Sequence, residues 1–484
     1  MPKNYLKLAS SVLDRGFIRR HTLKLHELEK STSNSDFRQS TDYVCEFLRE
    51  AGFEKIERYA LPCDGVTTYD DCTMPLAWDR TGRSTLEILD KSLPKKQRLL
   101  ADTDIEPINA VIWSVPTPPG GVTAELVDLH NAENGDWDGF RGKIVLCDRS
   151  PNGTMLRNLV KSGAIGTVSY IADILDTNPD DVRWMNGVGY CSWYYQKGDK
   201  TIWNFSITPR KGAWLADKLR GGEKITLKAV MNTRVYAGET YTVTAVIPGR
   251  SGKELALFAH MYEPFLADDS AGVVISAAIG KAIRELVAQR KLPALEHGIR
   301  VVFSMERYGF SEFFHQPKRV KRIIAGMNMD SVCHPTLKVA GIPLELRQSP
   351  STAPFFGEII IRDLLRKNFP NVKFRETPGN LSDDTFAAEP PFDIPTGWLH
   401  TPPAPNRHHN TGEVFGGIDW DIAETVFQVI TAYYAQIATV RPDKAEFRDL
   451  FKRISQAVAK DATDDLNRLQ EEYDNGTLNI YAVN

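Results

Sequence analysis

Short apolar runs alternate with amphipathic helical segments through the second half of the chain, which leaves few folds open to it. Five runs have the length and composition of buried strands, at residues 243–247, 255–259, 299–304, 323–327 and 395–399. Three segments with apolar residues at three- and four-residue intervals are predicted helices, at 271–289, 353–367 and 420–438. Strands that alternate with helices form a sheet with helices on both faces, so we predict an α/β domain.

The rest of the chain divides into a first segment, an insertion and a tail. Residues 1–75 contain a predicted amphipathic helix at 35–53, and Gly52 is its predicted C-cap. Residues 76–237 are rich in proline, glycine and short β-branched runs, which predicts a strand-rich domain inserted into a discontinuous domain formed by 1–75 and 238–442. The charged segment 443–484 is a predicted helical tail that packs on the core or on a second subunit, which leaves a homo-oligomer open.

Charge balance and cysteine pattern exclude several classes of partner. The chain carries 59 Lys and Arg against 62 Asp and Glu, so no overall field attracts nucleic acid or an anionic membrane. No apolar run reaches the roughly 18–20 residues of a membrane span, and residues 1–20 lack the apolar core of a secretory signal. We therefore expect a cytoplasmic protein with a small partner. The six cysteines form no C-x-x-C pair, so histidine and carboxylate must hold any metal.

Residues with the chemistry of metal ligands stand where predicted strands end and where a predicted helix begins. Three of them follow predicted strands: His260, Glu306 and Asp330. The others precede the helix at 271–289 or lie in the loop after residue 399: Asp268, Asp269, His408 and His409. Ligands of an α/β sheet bind at the carboxyl ends of its strands, and imidazole and carboxylate are zinc ligands. We therefore predict a metal site in which Glu306 is the general base.

The order and spacing of these residues resemble the zinc aminopeptidases of the M28 clan, which also includes the glutaminyl cyclases. The matching segments are, in chain order, 247–260, Ala-Asp-Asp-Ser-Ala-Gly at 267–272, Phe-Ser-Met-Glu-Arg-Tyr-Gly at 303–309, Met-Asn-Met-Asp at 327–330, Leu-Ser-Asp-Asp-Thr-Phe at 381–386 and His-Asn-Thr-Gly-Glu at 409–413. Segments at 142–148, 159–168 and 207–215 resemble the protease-associated domain that many of these enzymes carry as an insertion. The resemblance implies a zinc exopeptidase-like fold with a mixed, mostly parallel sheet and an inserted β-rich protease-associated domain.

Carried over residue by residue, the resemblance implies four metal ligands: His260, Asp268, Asp330 and His409. Asp268 is preferred to Asp269 because it lies four residues before Gly272, as the family's bridging Asp does, and Thr411 favours His409 over His408. Three further residues are expected to orient the ligands: Asp269, Glu263 and Asp383. The expected metal is Zn²⁺, as one ion, with two left open.

Two positions depart from the family pattern. Arg307 follows the general base where the two-metal form has a second Glu, so we expect one ion, with the guanidinium turned away or stabilising an oxyanion. Tyr262 stands where an Asp normally orients the first His. Tyr262 and Tyr308 are expected to line a substrate pocket, and an aromatic stretch of the insertion that includes Trp184 is predicted to cover the site or to form a dimer contact.

These features together predict an aminopeptidase-like, zinc-dependent hydrolase of a peptide or amide bond, which acts on a small peptide or amide substrate. Two alternatives stay open. One is a one-metal acyl-transfer cyclase, as in the glutaminyl cyclases, which releases ammonia without consuming water. The other is a non-catalytic binding or scaffold protein that kept the fold.

Overall fold

A computed structural model describes residues 4–30, 32–70, 72–132, 137–185, 195–350, 353–379, 385–390, 392–404, 408–412, 417–441 and 443–477. The strands are β1 Glu54–Cys63, β2 Thr68–Tyr69, β3 Cys72–Thr73, β4 Ala77–Arg80, β5 Thr85–Ile88, β6 Leu99–Asp102, β7 Val122–Asp128, β8 Ile144–Cys147, β9 Gly166–Ser169, β10 Trp203–Ser206, β11 Ile225–Val230, β12 Thr233–Tyr236, β13 Gly238–Ile247, β14 Glu254–Met261, β15 Gly298–Met305, β16 Ile323–Asn328, β17 Leu344–Arg347, β18 Phe374–Thr377 and β19 Thr396–His400. The helices are α1 Tyr5–Ser10, α2 Arg15–Glu29, α3 Asn34–Glu50, α4 Lys95–Arg98, α5 Gly153–Ser162, α6 Pro209–Arg220, α7 Ser270–Ala288, α8 Tyr308–Phe314, α9 Pro317–Val320, α10 Thr336–Ala340, α11 Gly357–Asn368, α12 Trp420–Thr439 and α13 Ala445–Asp474.

The main sheet has eight strands in the order β1-β13-β15-β14-β16-β19-β17-β18. Its central strands β15, β14, β16 and β19 are parallel, whereas β1 and β13 join one edge and β17 joins the other in antiparallel pairs. All five predicted strands lie in this sheet, in β13, β14, β15, β16 and β19. The predicted mixed, mostly parallel α/β sheet is therefore confirmed.

Side chains of the central strand β14 alternate between two apolar layers, as the period of a strand requires. Leu255 and Leu257 pack in the large core together with residues of α7 and α12, such as Val274 and Val426. Ala256 and Phe258 point the opposite way and pack in a second cluster. That second cluster includes three phenylalanines of α8, namely Phe310, Phe313 and Phe314. Helices therefore cover both faces of the sheet, as the sequence predicted.

The insertion forms a sheet of its own. Strands β5 to β11 make a seven-stranded sheet in the order β10-β9-β8-β7-β11-β5-β6. Where the chain leaves and re-enters the main unit, β4 and β12 pair in an antiparallel ladder, with Ala77 opposite Tyr236. A strand-rich unit thus lies at the predicted place, and its identification as a protease-associated domain stays a prediction.

Two predicted helices differ from the structure. The segment predicted as helical from 353 begins instead at Gly357, because Pro354 disfavours helical backbone at the preceding residue. The tail is helical from Ala445 to Asp474, but of its predicted apolar face only Leu450 is fully buried, while Phe451 is 63% exposed. Packing of this face on a second subunit stays a prediction. Among the described residues, no helix combines the length and the apolar character that crossing a bilayer requires.

Glu345 anchors the edge of the main sheet through a network of charged hydrogen bonds. Arg347 Nη2 donates to its Oε1 at 2.7 Å, and Arg375 Nη2 and Thr377 Oγ1 donate to its two oxygens at 2.8 Å each. Contact with the His400 ring and these hydrogen bonds outweigh the effect of burial and hold the pKa of Glu345 well below its ordinary value. The folded state therefore favours the ionised carboxylate.

Replacing Glu345 by Gln is expected to lower the free energy of unfolding at neutral pH by about 2–3 kcal/mol, because two guanidinium groups lose a charged acceptor. A depressed folded-state pKa stabilises the protein above the unfolded-state pKa of about 4.3, and this contribution is lost as pH falls below it. The difference between wild type and variant should therefore shrink below about pH 4 in urea titrations. A difference that grows on acidification would contradict this account.

Candidate metal centre

The ends of three adjacent parallel strands bring the first candidate residues together. β14 pairs in parallel with β15 on one side and with β16 on the other, so their carboxyl ends share one edge of the sheet. His260 is the penultimate residue of β14 and lies opposite Ser304 of β15. Glu306 follows the end of β15 directly, and Asp330 follows β16 by two residues. The predicted convergence of these three residues is what the structure shows.

The start of α7 brings Asp268 to the same place. A Cβ atom at Gly272 would collide with the carbonyl oxygen of Met329, so only glycine lets the first turn of α7 approach the loop that carries Asp330. Asp269 caps this helix, and its Oδ1 accepts a hydrogen bond from the Gly272 amide at 3.1 Å. Asp269 thus serves the helix, while Asp268 faces the strand ends.

His260 faces two carboxylates. Its Nε2 lies 3.2 Å from Asp268 Oδ1 and 3.3 Å from Asp330 Oδ1, and all three side chains are buried. One ligand atom from each lies within 4.8 Å of the others. One imidazole nitrogen and two carboxylate oxygens are a donor set that zinc accepts in catalytic sites, with the remaining position open. These residues therefore fit the metal that the sequence predicted.

His409 faces the other oxygen of Asp268. Its Nε2 lies 3.4 Å from Asp268 Oδ2 and 3.1 Å from Glu263 Oε2. The neighbouring ring of His408 stacks on His409 with a centroid separation of 3.6 Å, and its Nδ1 is 3.9 Å from Asp268 Oδ2. Asp268 therefore lies between two imidazoles, and both loop histidines present a ring nitrogen to it, His409 at the shorter distance.

The insertion holds the loop that carries His409. The Trp184 amide donates to the His409 carbonyl oxygen at 2.7 Å, and Arg183 Nη1 donates to the carbonyl oxygen of His408. The Trp184 ring meets His409 edge-on at 5.0 Å, while Phe265 stacks on the other side at 5.5 Å. The insertion thus contacts the cluster through Arg183 and Trp184.

The electrostatics of the cluster require positive charge. Burial alone would lower the pKa of both His260 and His409, yet the carboxylates around them raise the pKa of each imidazole well above its ordinary value. Burial would raise the pKa of Asp268, but hydrogen bonds from the two imidazoles hold that pKa well below its ordinary value. Burial raises the pKa of Glu263. A bound divalent cation meets the same demand without protons on the imidazoles.

The remaining predicted residues surround this cluster. Glu306 offers a carboxylate oxygen within 4.8 Å of ligand atoms of His260 and Glu263. Arg307 has a left-handed backbone, with φ of 54°, and immediately precedes α8. Tyr262 and Tyr308 line an apolar pocket beside Glu306, to which the insertion contributes Trp113 and Trp184. Asp383 lies outside the described residues.

Sequence reasoning missed Glu29, a buried carboxyl behind the cluster. Its Oε1 accepts a hydrogen bond from the Tyr262 amide at 3.2 Å, and burial raises its pKa to about 8. Tyr262 itself turns its hydroxyl to Asn34, to which it donates at 2.9 Å. Glu29 is the last residue of an amphipathic helix and belongs to no recognisable motif. The only hint in the sequence is a charged residue at a helix position that is buried.

The fold of the chain is similar to that of several solved peptidase structures. The peptidase M28 precursor from Shewanella amazonensis SB2B aligns over 90% of this chain and 95% of its own, with a TM-score of 0.64 and 17% identity. The zinc aminopeptidase BSAP from Bacillus subtilis aligns over 88% and 96%, with a TM-score of 0.60 and 15% identity. The aminopeptidase from Aneurinibacillus sp. strain AM-1 aligns over 91% and 97%, with a TM-score of 0.56 and 16% identity.

No sequence model of a protein family and no curated protein sequence matches the chain. The likeness therefore resides in the backbone, and it extends over the main sheet and the insertion together, since about nine-tenths of the chain is aligned. The resemblance that the motifs indicated is confirmed at this level: the chain has the fold of the M28 peptidases and zinc aminopeptidases.

Proposed function

We propose that this protein is a metal-dependent, aminopeptidase-like hydrolase of peptide or amide bonds, with zinc as its metal. The observation that carries the proposal is the buried group of His260, Asp268 and Asp330, which points its ligand atoms at one position beside Glu306. The fold shared with zinc aminopeptidases supports the same reaction class.

Glu306 is the general base of this proposal. His260, Asp268 and Asp330 would hold a divalent cation, which would supply the Lewis acidity that lets water be deprotonated at neutral pH. Glu306 removes a proton from the attacking water and returns it to the nitrogen of the leaving amine. Arg307, the next residue, supplies a fixed positive charge to the oxyanion of the tetrahedral intermediate. Neither residue forms a covalent bond with the substrate.

The pocket beside Glu306 indicates the substrate class. Tyr262, Met305 and Tyr308 of the main unit and Trp113 and Trp184 of the insertion surround it with apolar surface. This apolar surface is proposed to face the residue next to the scissile bond, so a small peptide or amide with an apolar terminal residue is the preferred substrate.

Metal removal tests the proposal. Protein purified without chelator should contain stoichiometric zinc and hydrolyse leucine p-nitroanilide, and extraction with 1,10-phenanthroline should lower the rate by at least roughly 100-fold, with recovery on adding Zn²⁺. A chain that holds no metal and cleaves none of a panel of apolar aminoacyl amides would favour the scaffold alternative. Mass spectrometry of an N-terminal glutaminyl peptide separates hydrolysis, which adds water, from cyclisation, which releases ammonia.

A further inference from the structure

We propose that two copies of this chain associate through α13, with the two helices antiparallel. The contact surface is an outer apolar stripe of five residues, and each stripe is covered by the same stripe of a second copy: Phe451, Val458, Ala462, Leu466 and Tyr473. The inference goes beyond the proposed function and is independent of it, because it concerns only the tail of the chain and requires no metal.

The other side of α13 packs on the rest of the chain. Leu450 is buried, and Ile454 is partly buried against the core. Asp461 Oδ2 accepts a hydrogen bond at 2.8 Å from Nη1 of Arg362 in α11, whose side chain is largely buried. These contacts lie on one side of the helix and fix its rotation about its own axis. Docking the apolar stripe on the same chain would therefore require α13 to turn and the Arg362–Asp461 pair to break.

The outward side of α13 carries the apolar stripe. Its four large side chains are 41–69% exposed, and Ala462 is exposed as well. Phe451, Ala462 and Tyr473 recur at intervals of 11 residues, which is close to three whole turns. The stripe therefore runs along one side of the helix for about 33 Å. A continuous exposed apolar surface of this kind is typical of an interaction site.

The stripe is symmetric about Ala462. Val458 and Leu466 lie four residues before and after it, and Phe451 and Tyr473 lie 11 residues before and after it. An antiparallel pair with its two-fold axis at Ala462 thus places Phe451 of one copy opposite Tyr473 of the other, and Val458 opposite Leu466. The small Ala462 meets itself, which lets the two backbones approach. The stripe is therefore complementary to a second copy of itself, as a two-fold interface requires.

The charge of α13 selects the antiparallel orientation. Residues 445–460 include four basic and two acidic residues, a net charge of +2, whereas residues 461–474 include one basic and six acidic residues, a net charge of −5. An antiparallel pair places the basic half of each copy beside the acidic half of the other. A parallel pair would bring two halves of net charge −5 within the Debye length of about 8 Å, where they repel.

Sedimentation of the full chain from about 1 to about 100 μM tests the association. Wild type should show an equilibrium between monomer and dimer. Leu466→Lys should weaken the dimer by about 100-fold, because the two-fold axis repeats the loss at two places, each about tenfold. Lysine is a good helix former, so α13 itself should persist.

Ile105→Lys is the matched control. Ile105 is 75% exposed, as accessible as any residue of the stripe, but it lies in the insertion. The same change of an exposed aliphatic side chain to lysine should leave the association at its wild-type strength there.

Two single-cysteine variants test the orientation. Ser455→Cys and Gln470→Cys change exposed residues seven positions before and eight positions after Ala462, so the two sites meet only in an antiparallel pair. A short bismaleimide should link the two variants when they are mixed but neither variant alone, since like positions are then about 20 Å apart. Raising the salt concentration should also weaken the dimer, because it screens the attraction between unlike halves.

Each outcome bears on the proposal. A chain that stays monomeric at about 100 μM overturns it, as does a dimer that is unchanged in Leu466→Lys. Linking of each cysteine variant alone, but not of the mixture, overturns the antiparallel orientation. A monomeric chain that Leu466→Lys destabilises toward urea would show that the stripe packs on its own chain. If Leu466→Lys fails to fold by circular dichroism, Tyr473→Lys takes its place, and unchanged association in that variant overturns the proposal. A chain that dimerises but binds no metal overturns only the proposed function.

Discussion

Replacing Glu306 by Gln should lower kcat on an aminoacyl p-nitroanilide by roughly 10²–10⁴-fold while the zinc content stays that of wild type. Glutamine has nearly the shape of glutamate but cannot accept the proton of the attacking water. Glu306 lies beside His260 and Glu263, but it is not one of the three ligands proposed for zinc. Loss of its charge should therefore spare metal binding. Steady-state kinetics with metal analysis of the same sample measure both quantities.

Glu312→Gln is the control for this substitution. Glu312 lies in α8, six residues beyond Glu306, and its Oε2 pairs with Arg319 Nη1 at 3.2 Å, away from the ligand cluster. It should keep wild-type kcat within about a factor of two, because the Glu312 carboxylate pairs with Arg319 and Gln316 of its own segment and glutamine keeps its shape. Equal activity of Glu306→Gln and wild type would remove Glu306 from the mechanism, and loss of zinc from Glu306→Gln would identify it as a ligand.

The fold was predictable because the apolar pattern of the main sheet is strong and local. β14 and β15 are buried on both faces, so they appear in the sequence as continuous apolar runs that end at His260 and shortly before Glu306. The parallel pairing of such strands then places whatever follows them at one edge. Side chains that are 46 residues apart could thus be assigned to one site without knowing how the loops run.

The position of Glu263 beside His409 was not predictable in the same way. Its distance from His409 depends on the path of two loops, and one of them is fixed by hydrogen bonds from Arg183 and Trp184 of the insertion. No periodic pattern encodes such a contact between distant segments. Sequence spacing instead directed attention to Arg307, the residue after the general base, and gave Glu263 only as a residue that orients a ligand.

Asp268→Asn is expected to have the largest effect on metal binding, because Asp268 presents one carboxylate oxygen to each of the two imidazoles. Its Oδ1 lies 3.2 Å from His260 Nε2, and its Oδ2 lies 3.4 Å from His409 Nε2. An amide keeps the shape but loses the negative charge, so the affinity for zinc should fall by about 100-fold. Hydrolysis should fall with occupancy at limiting zinc, and calorimetric titration of the metal-free protein measures the affinities directly.

Asp269→Asn provides the control one residue away. Asp269 caps α7 through the Gly272 amide, and asparagine is as good an N-cap as aspartate, so both the helix and the metal affinity should be retained. The two variants remove the same charge from adjacent residues, which makes the direction of the side chain the only difference between them. If Asp269→Asn loses zinc and Asp268→Asn keeps it, the ligand assignment is reversed; if both keep it, Asp268 is not a ligand of the metal.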